Sequence, residues 1–118
     1  MQVYLVNQIE EFKSNGQVIE RVVFSHKEQV MTLEIPPPLT GRFSKGDQVK
    51  CQFVAHQSDS QPNDCKADFC FLGTVVPTWT NENIWTLSVG GLVVQVTPRP
   101  PVESKSPSGS KFWIFLYT

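Results

Sequence analysis

Residues 84–97, IWTLSVGGLVVQVT, carry the pattern that decides the fold. Trp85, Leu87 and Val89 alternate with Ile84, Thr86 and Ser88, the period of two that gives a strand two different faces. The pattern restarts at Leu92, Val94 and Val96, and Gly90-Gly91 between the two runs supplies backbone freedom for a tight turn or a sharp bend. A Pro/Ser-rich excursion over residues 98–110, expected to be mobile, then leads into KFWIFLYT. There Phe112, Ile114 and Leu116 alternate with Trp113, Phe115 and Tyr117, a further strand.

Working back toward the start, nearly every periodic segment also reads as strand. Val3, Leu5 and Ile9 share one face of the first run, with Tyr4 and Val6 opposite. Asn15-Gly16 is a turn signal because both residues tolerate positive φ. Val18 to His26 is rich in β-branched residues, and Met31, Leu33 and Ile35 alternate with Val30, Thr32 and Glu34. Pro36-Pro37-Pro38 stops that strand, since proline cannot donate to a ladder. Gly46-Asp47 marks the next turn, before Val49, Cys51, Phe53 and Ala55 alternate with Lys50, Gln52 and Val54. Phe69 to Val76 is strand again, with Gly73 expected at a bulge or a close approach. Residues 56–67 and 77–83 read as loops. No segment shows a helical period. About eight short strands joined by Gly, Pro and Asn turns predict an all-β, single-domain antiparallel barrel over residues 1–118.

Composition narrows the function. The 118 residues carry 10 Lys and Arg against 11 Asp and Glu, for a net charge of −1. The charges form no run, whereas an autonomous nucleic-acid binder carries a basic patch. The apolar segments are too short to span a bilayer as helices. The opening MQVYLVNQIEEF has no basic region or cleavage site of a secretory signal. Three cysteines, an odd number, argue against a secreted disulfide framework. The expectation is a soluble intracellular protein without a membrane partner.

Site chemistry is sparse. Cys51, His56, Cys65 and Cys70 are ligand types for zinc, but their spacing is not that of a zinc knuckle. Cys51 sits on the expected inward face of its strand, where a small hydrophobe belongs. The simpler reading is two buried thiols and one loop thiol, with no metal and no cofactor. A Cys65–Cys70 disulfide requires an oxidising setting. His56, Ser58, Asp59 and Cys65 share one polar loop without the rigid neighbours that nucleophilic catalysis needs. Glu10 and Glu11 point to opposite faces of a strand, and His26 reads as a surface or turn residue. No phosphate-loop, dinucleotide or nucleophile-elbow motif is present. The chain is not expected to be an enzyme on its own. Phe24, Trp79, Trp85, Trp113 and Tyr117 are candidates for stacking bases, for filling the core, or for a protein interface; the near-zero charge favours the interface over the bases.

The order of these blocks resembles subunit eight, a small non-catalytic subunit of the archaeal and eukaryotic nuclear RNA polymerases. A family pattern of G-x-V, a loop, an aromatic-containing strand, Gly-Gly-Leu, a hydrophobic strand and a final aromatic strand is similar to Gly73-Thr74-Val75, IWTLSVGGLVVQV and FWIFLYT. The opening resembles Ile9-Glu10-Glu11, Gly16 and Arg21-Val22, followed by Met31-Thr32-Leu33 and Gly46-Asp47. The resemblance covers nearly the whole chain. Eukaryotic members carry a longer central loop than residues 56–67, so the likeness is to the archaeal, short form.

The resemblance implies a barrel related to the oligonucleotide/oligosaccharide-binding (OB) fold and a role in transcription, as a structural and assembly subunit of DNA-directed RNA polymerase. Its partner would be the largest subunit, with DNA and RNA met only through the complex. It would lie in the cytoplasm of an archaeal cell, or in the nucleus if eukaryotic. The expected partner interface is Trp85, Gly90, Gly91 and Leu92, with Tyr117 nearby. For Gly90-Gly91 a purely conformational role stands beside direct contact. The alternative function is an autonomous OB-fold single-strand nucleic-acid binder.

Overall fold

Eight strands close into one antiparallel barrel. A computed structural model of the chain describes residues 2–37, 39–56, 67–77, 83–98 and 108–118. The strands are β1 (Gln2–Ser14), β2 (Gln17–His26), β3 (Gln29–Ile35), β4 (Gln48–Ala55), β5 (Phe69–Val76), β6 (Trp85–Val89), β7 (Leu92–Thr97) and β8 (Lys111–Tyr117). Around the barrel their order is β1-β2-β3-β7-β6-β5-β8-β4, with β4 returning to β1. Closure removes the edges that an open sheet would present over most of its length. The expected excursion over 98–110 falls largely outside the described residues.

Turn chemistry fixes the hairpins. Asn15 and Gly16 have φ of 51° and 80°, and Gly90 and Gly91 have φ of 56° and 92°. Two consecutive positive φ values make a two-residue turn that matches the strand twist. Ser14 therefore pairs with Gln17, and Val89 with Leu92.

The interior is built from alternate residues. Trp85, Leu87, Val94, Val96, Ile114 and Leu116 lie in one buried cluster with Tyr4, Val6, Val22 and Phe24. Burying each such side chain contributes about 1.5–3 kcal/mol. The loop after β3 adds to it: Phe43 packs edge-on against Phe24 at 5.5 Å and stacks on Phe69 at 5.1 Å. That loop is tied to β2 where the N–H of Gly41 donates to Glu20 Oε1 at 2.8 Å. Gly73 is a close-approach position, since a Cβ there would meet Leu87 Cβ at 3.0 Å.

Two details differ from the sequence reading. The register of β1 on β2 shifts between Val6 and Gln8. The extra residue turns the alternation over, so Ile9 packs on the core with Tyr4 and Val6 while Val3 and Leu5 face solvent. Cys51 is buried as expected, but Cys70 is exposed, because it occupies the position between inward Phe69 and Phe71.

Candidate partner-docking site

The β1–β2 and β6–β7 turns flank a cleft of about 410 Å³. Its apolar lining comes from Ile19, Leu33, Phe71, Val89 and Leu92, and its polar lining from Asn15, Gln17 and Glu34. The cleft lies where β3 and β7 part. Their pairing runs from Val30–Thr97 to Leu33–Val94 and stops there. One residue further on, Glu34 Oε1 accepts the N–H of Val93 at 2.8 Å, and Glu34 Oε2 accepts from Arg21 Nη2 at 3.1 Å. A side chain thus replaces the backbone partner that Val93 has lost, and its N–H is satisfied at the splayed seam. Arg21 also lies over the ring of Phe12, 4.7 Å from its centroid.

Gly90, Gly91 and Leu92, three of the expected interface residues, line this cleft. The two glycines are required by the positive φ of their turn, and a Cβ on either would meet nothing within 4 Å. Their conformational role is therefore accounted for, and their surface is open. Leu92 is half-buried and adds an apolar side chain to the lining.

Trp85 is not placed for docking. It is fully buried, with Phe53 and Phe112 packed edge-on against it at 5.2 and 5.0 Å. It is the first of the inward residues of β6, and the alternation that identifies the strand also seals its ring inside. Tyr117 is half-buried at the end of β8 and does not line the cleft. Ile19 and Phe71 are the lining residues that sequence reasoning missed. They belong to strands distant in the chain, and only the closed topology brings them beside Gly90 and Gly91.

The remaining aromatic candidates divide in the same way. Phe24 is in the core, Trp113 is half-buried beside His56 at 5.9 Å, and Trp79 lies outside the described residues. Ser58, Asp59 and Cys65 also lie outside them. Among the described residues no three His, Cys, Asp or Glu side chains gather as a metal site. His26 closes β2 with its Nδ1 2.8 Å from the carbonyl oxygen of Val3, a contact between strands. Asp68 is a titratable group with a shifted pKa. The N–H and hydroxyl of Thr118 donate to its Oδ2 at 2.8 and 2.9 Å, and these bonds lower its pKa.

No known protein family matches this sequence, and no curated protein does.

Proposed function

We propose that the chain is a non-catalytic assembly subunit of an archaeal-type, DNA-directed RNA polymerase, docking on the largest subunit through the cleft between its two glycine-containing turns. The observation that carries the reading is the cleft lined by half-buried Leu92, Val89 and Phe71, with buried Ile19 beneath them. An apolar surface of this kind, rimmed by polar groups, gains free energy when a partner excludes water from it. The blocks that resemble the polymerase subunit support the identity of the partner, and Gly90-Gly91-Leu92 belongs to both the resemblance and the cleft. Trp85 has no part in the contact, and Tyr117 lies outside the proposed docking set. The chain supplies no residue to the chemistry of RNA synthesis and meets DNA or RNA only through the complex.

The test is an affinity pull-down of the tagged protein from its own cells at moderate salt, with the stoichiometry of every copurifying chain. Recovery of the large polymerase subunits, with one copy of this chain per complex, is the expected result. Recovery of the chain alone, or with nucleic acid that nuclease removes, would overturn it. The second outcome would promote the single-strand binder, a reading already weakened because Phe24 and Trp85 are shut inside the barrel.

A further inference from the structure

We infer that the outer edge of β1, from Ile9 to Lys13, docks an extended, cation-bearing segment of a different protein by backbone pairing. β1 is 13 residues long, yet β4 pairs with it only from Gln2 to Leu5. A loop meets the next residue: the N–H of Val6 donates to the carbonyl of Asp47 at 2.8 Å, and its own carbonyl accepts from the N–H of Gly46 at 2.9 Å. From there to the turn, no backbone among the described residues bonds to this side of β1.

The hairpin register identifies the free groups. Ser14 and Gln17 flank a two-residue turn and are therefore a mutually hydrogen-bonded pair. Alternation then makes Lys13–Val18, Glu11–Glu20 and Ile9–Val22 the pairs whose backbone groups point away from each other. On β2, Glu20 accordingly turns toward β3, where it pairs with Ile35. On β1, the N–H and carbonyl groups of Ile9, Glu11 and Lys13 turn away from β2, where no described backbone meets them. A row of such groups is a template for an added strand.

Charge selects the occupant. Glu10, Glu11 and Lys13 are exposed along this edge. Antiparallel pairing of two copies centred on Glu11 sets carboxylate against carboxylate, and centring on Glu10 does the same, which is destabilising. Centring on Phe12 sets Glu11 against Lys13 but uses only those two residues, because the turn at Asn15 ends the strand and Ile9 is left over. A foreign segment with Lys or Arg opposite Glu11 uses all three residues and meets complementary charge. The inference rests on this edge and not on the polymerase reading.

The experiment uses the isolated full chain and residue-resolved amide exchange. The probe is a synthetic peptide of about ten alternating valine and threonine residues with one central lysine to set opposite Glu11, long enough to span a typical strand; its control has glutamate for that lysine. In the free chain the amides of Ile9, Glu11 and Lys13 should exchange at least about tenfold faster than those of Gln8, Glu10 and Phe12. The cationic peptide should slow those three amides, and the anionic one should not. Glu11→Pro deletes an outward N–H, which an edge strand tolerates, together with the carboxylate that would face the cation. It should weaken peptide binding by about tenfold. If that variant unfolds, the wild-type exchange pattern decides alone. The inference is overturned if the three amides are already protected in the monomer, if neither peptide slows them, or if both do so equally. It is equally overturned if they become protected by dimerisation of the chain. Because no polymerase is present, failure here leaves the pull-down result untouched, and the reverse holds.

Discussion

Glu34 stands in for a missing strand partner of Val93: its Oε1 accepts the Val93 N–H at 2.8 Å at the point where β3 and β7 separate. The same carboxylate meets Arg21, whose side chain is 41% exposed, so solvent screens the ion pair and most of the contribution comes from the bond to Val93. Glu34→Gln keeps an acceptor oxygen and should cost less than about 0.5 kcal/mol. Glu34→Ala leaves the donor open and should cost about 1–2 kcal/mol. Urea unfolding of the two variants checks this, and equal losses would show that the ion pair, and not the backbone bond, matters.

The approach of β5 to β6 leaves little room for a side chain at Gly73. A methyl group there would lie 3.0 Å from Leu87 Cβ and 3.1 Å from Leu87 Cδ2. The first of these atoms is fixed to the backbone and cannot rotate away. Gly73→Ala should therefore destabilise the barrel by about 1–3 kcal/mol. Combining it with Leu87→Ala should cost less than the sum of the two single changes, because the second substitution removes the Cδ2 clash and leaves a space the new methyl fills. Thermal unfolding of all four proteins tests the coupling, and strict additivity would refute it.

Much of this architecture is local and hence legible in the chain. The inward set of β6 and β7 follows from alternation at Trp85, Leu87, Val94 and Val96, and both glycine-containing turns follow from residues that tolerate positive φ. What is not local is lost to such reading. The register shift near Asn7 has no composition signal, and it alone moves Ile9 to the core face. Phe43 sits in a stretch that reads as loop, LTGRFSKGD, yet it is buried among aromatics from β2 and β5. Trp85 invites assignment to an interface because tryptophan is enriched there, while its place in the strand period puts it inside. Strand order around the barrel, which creates the cleft, depends on pairings such as β3 with β7 that lie far apart in the sequence.

The cleft makes a prediction about Leu92. Replacing it with Asp places a charge among apolar lining residues, and docking would then have to desolvate that charge. Leu92 is only half-buried, so the fold should lose about 1 kcal/mol and remain cooperative. Copurification of large partner subunits should fall at least about tenfold, which corresponds to 1.4 kcal/mol of docking energy. Val54→Asp, at an exposed position outside the cleft, serves as the control and should leave recovery unchanged. Equal recovery with both variants would place the docking surface elsewhere.

Asp68 supplies a pH dependence whose sign is fixed by its partners. The backbone N–H of Thr118 is the larger cause of its lowered pKa, the Thr118 hydroxyl the second, and a smaller desolvation effect opposes both. The folded chain therefore binds the Asp68 proton less readily than the unfolded chain does. Its contribution to stability is complete above the carboxylate's ordinary value of 3.8 and disappears as the pH falls through the lower folded value. Asp68→Asn, which cannot ionise, removes this dependence. The difference in urea midpoint between wild type and Asp68→Asn should stay constant from about pH 7 to about pH 5 and then shrink in acid. The group is exposed, so the difference will be small, and its direction is the test. A difference that grows on acidification would mean that the Thr118 bonds do not favour the charged carboxylate.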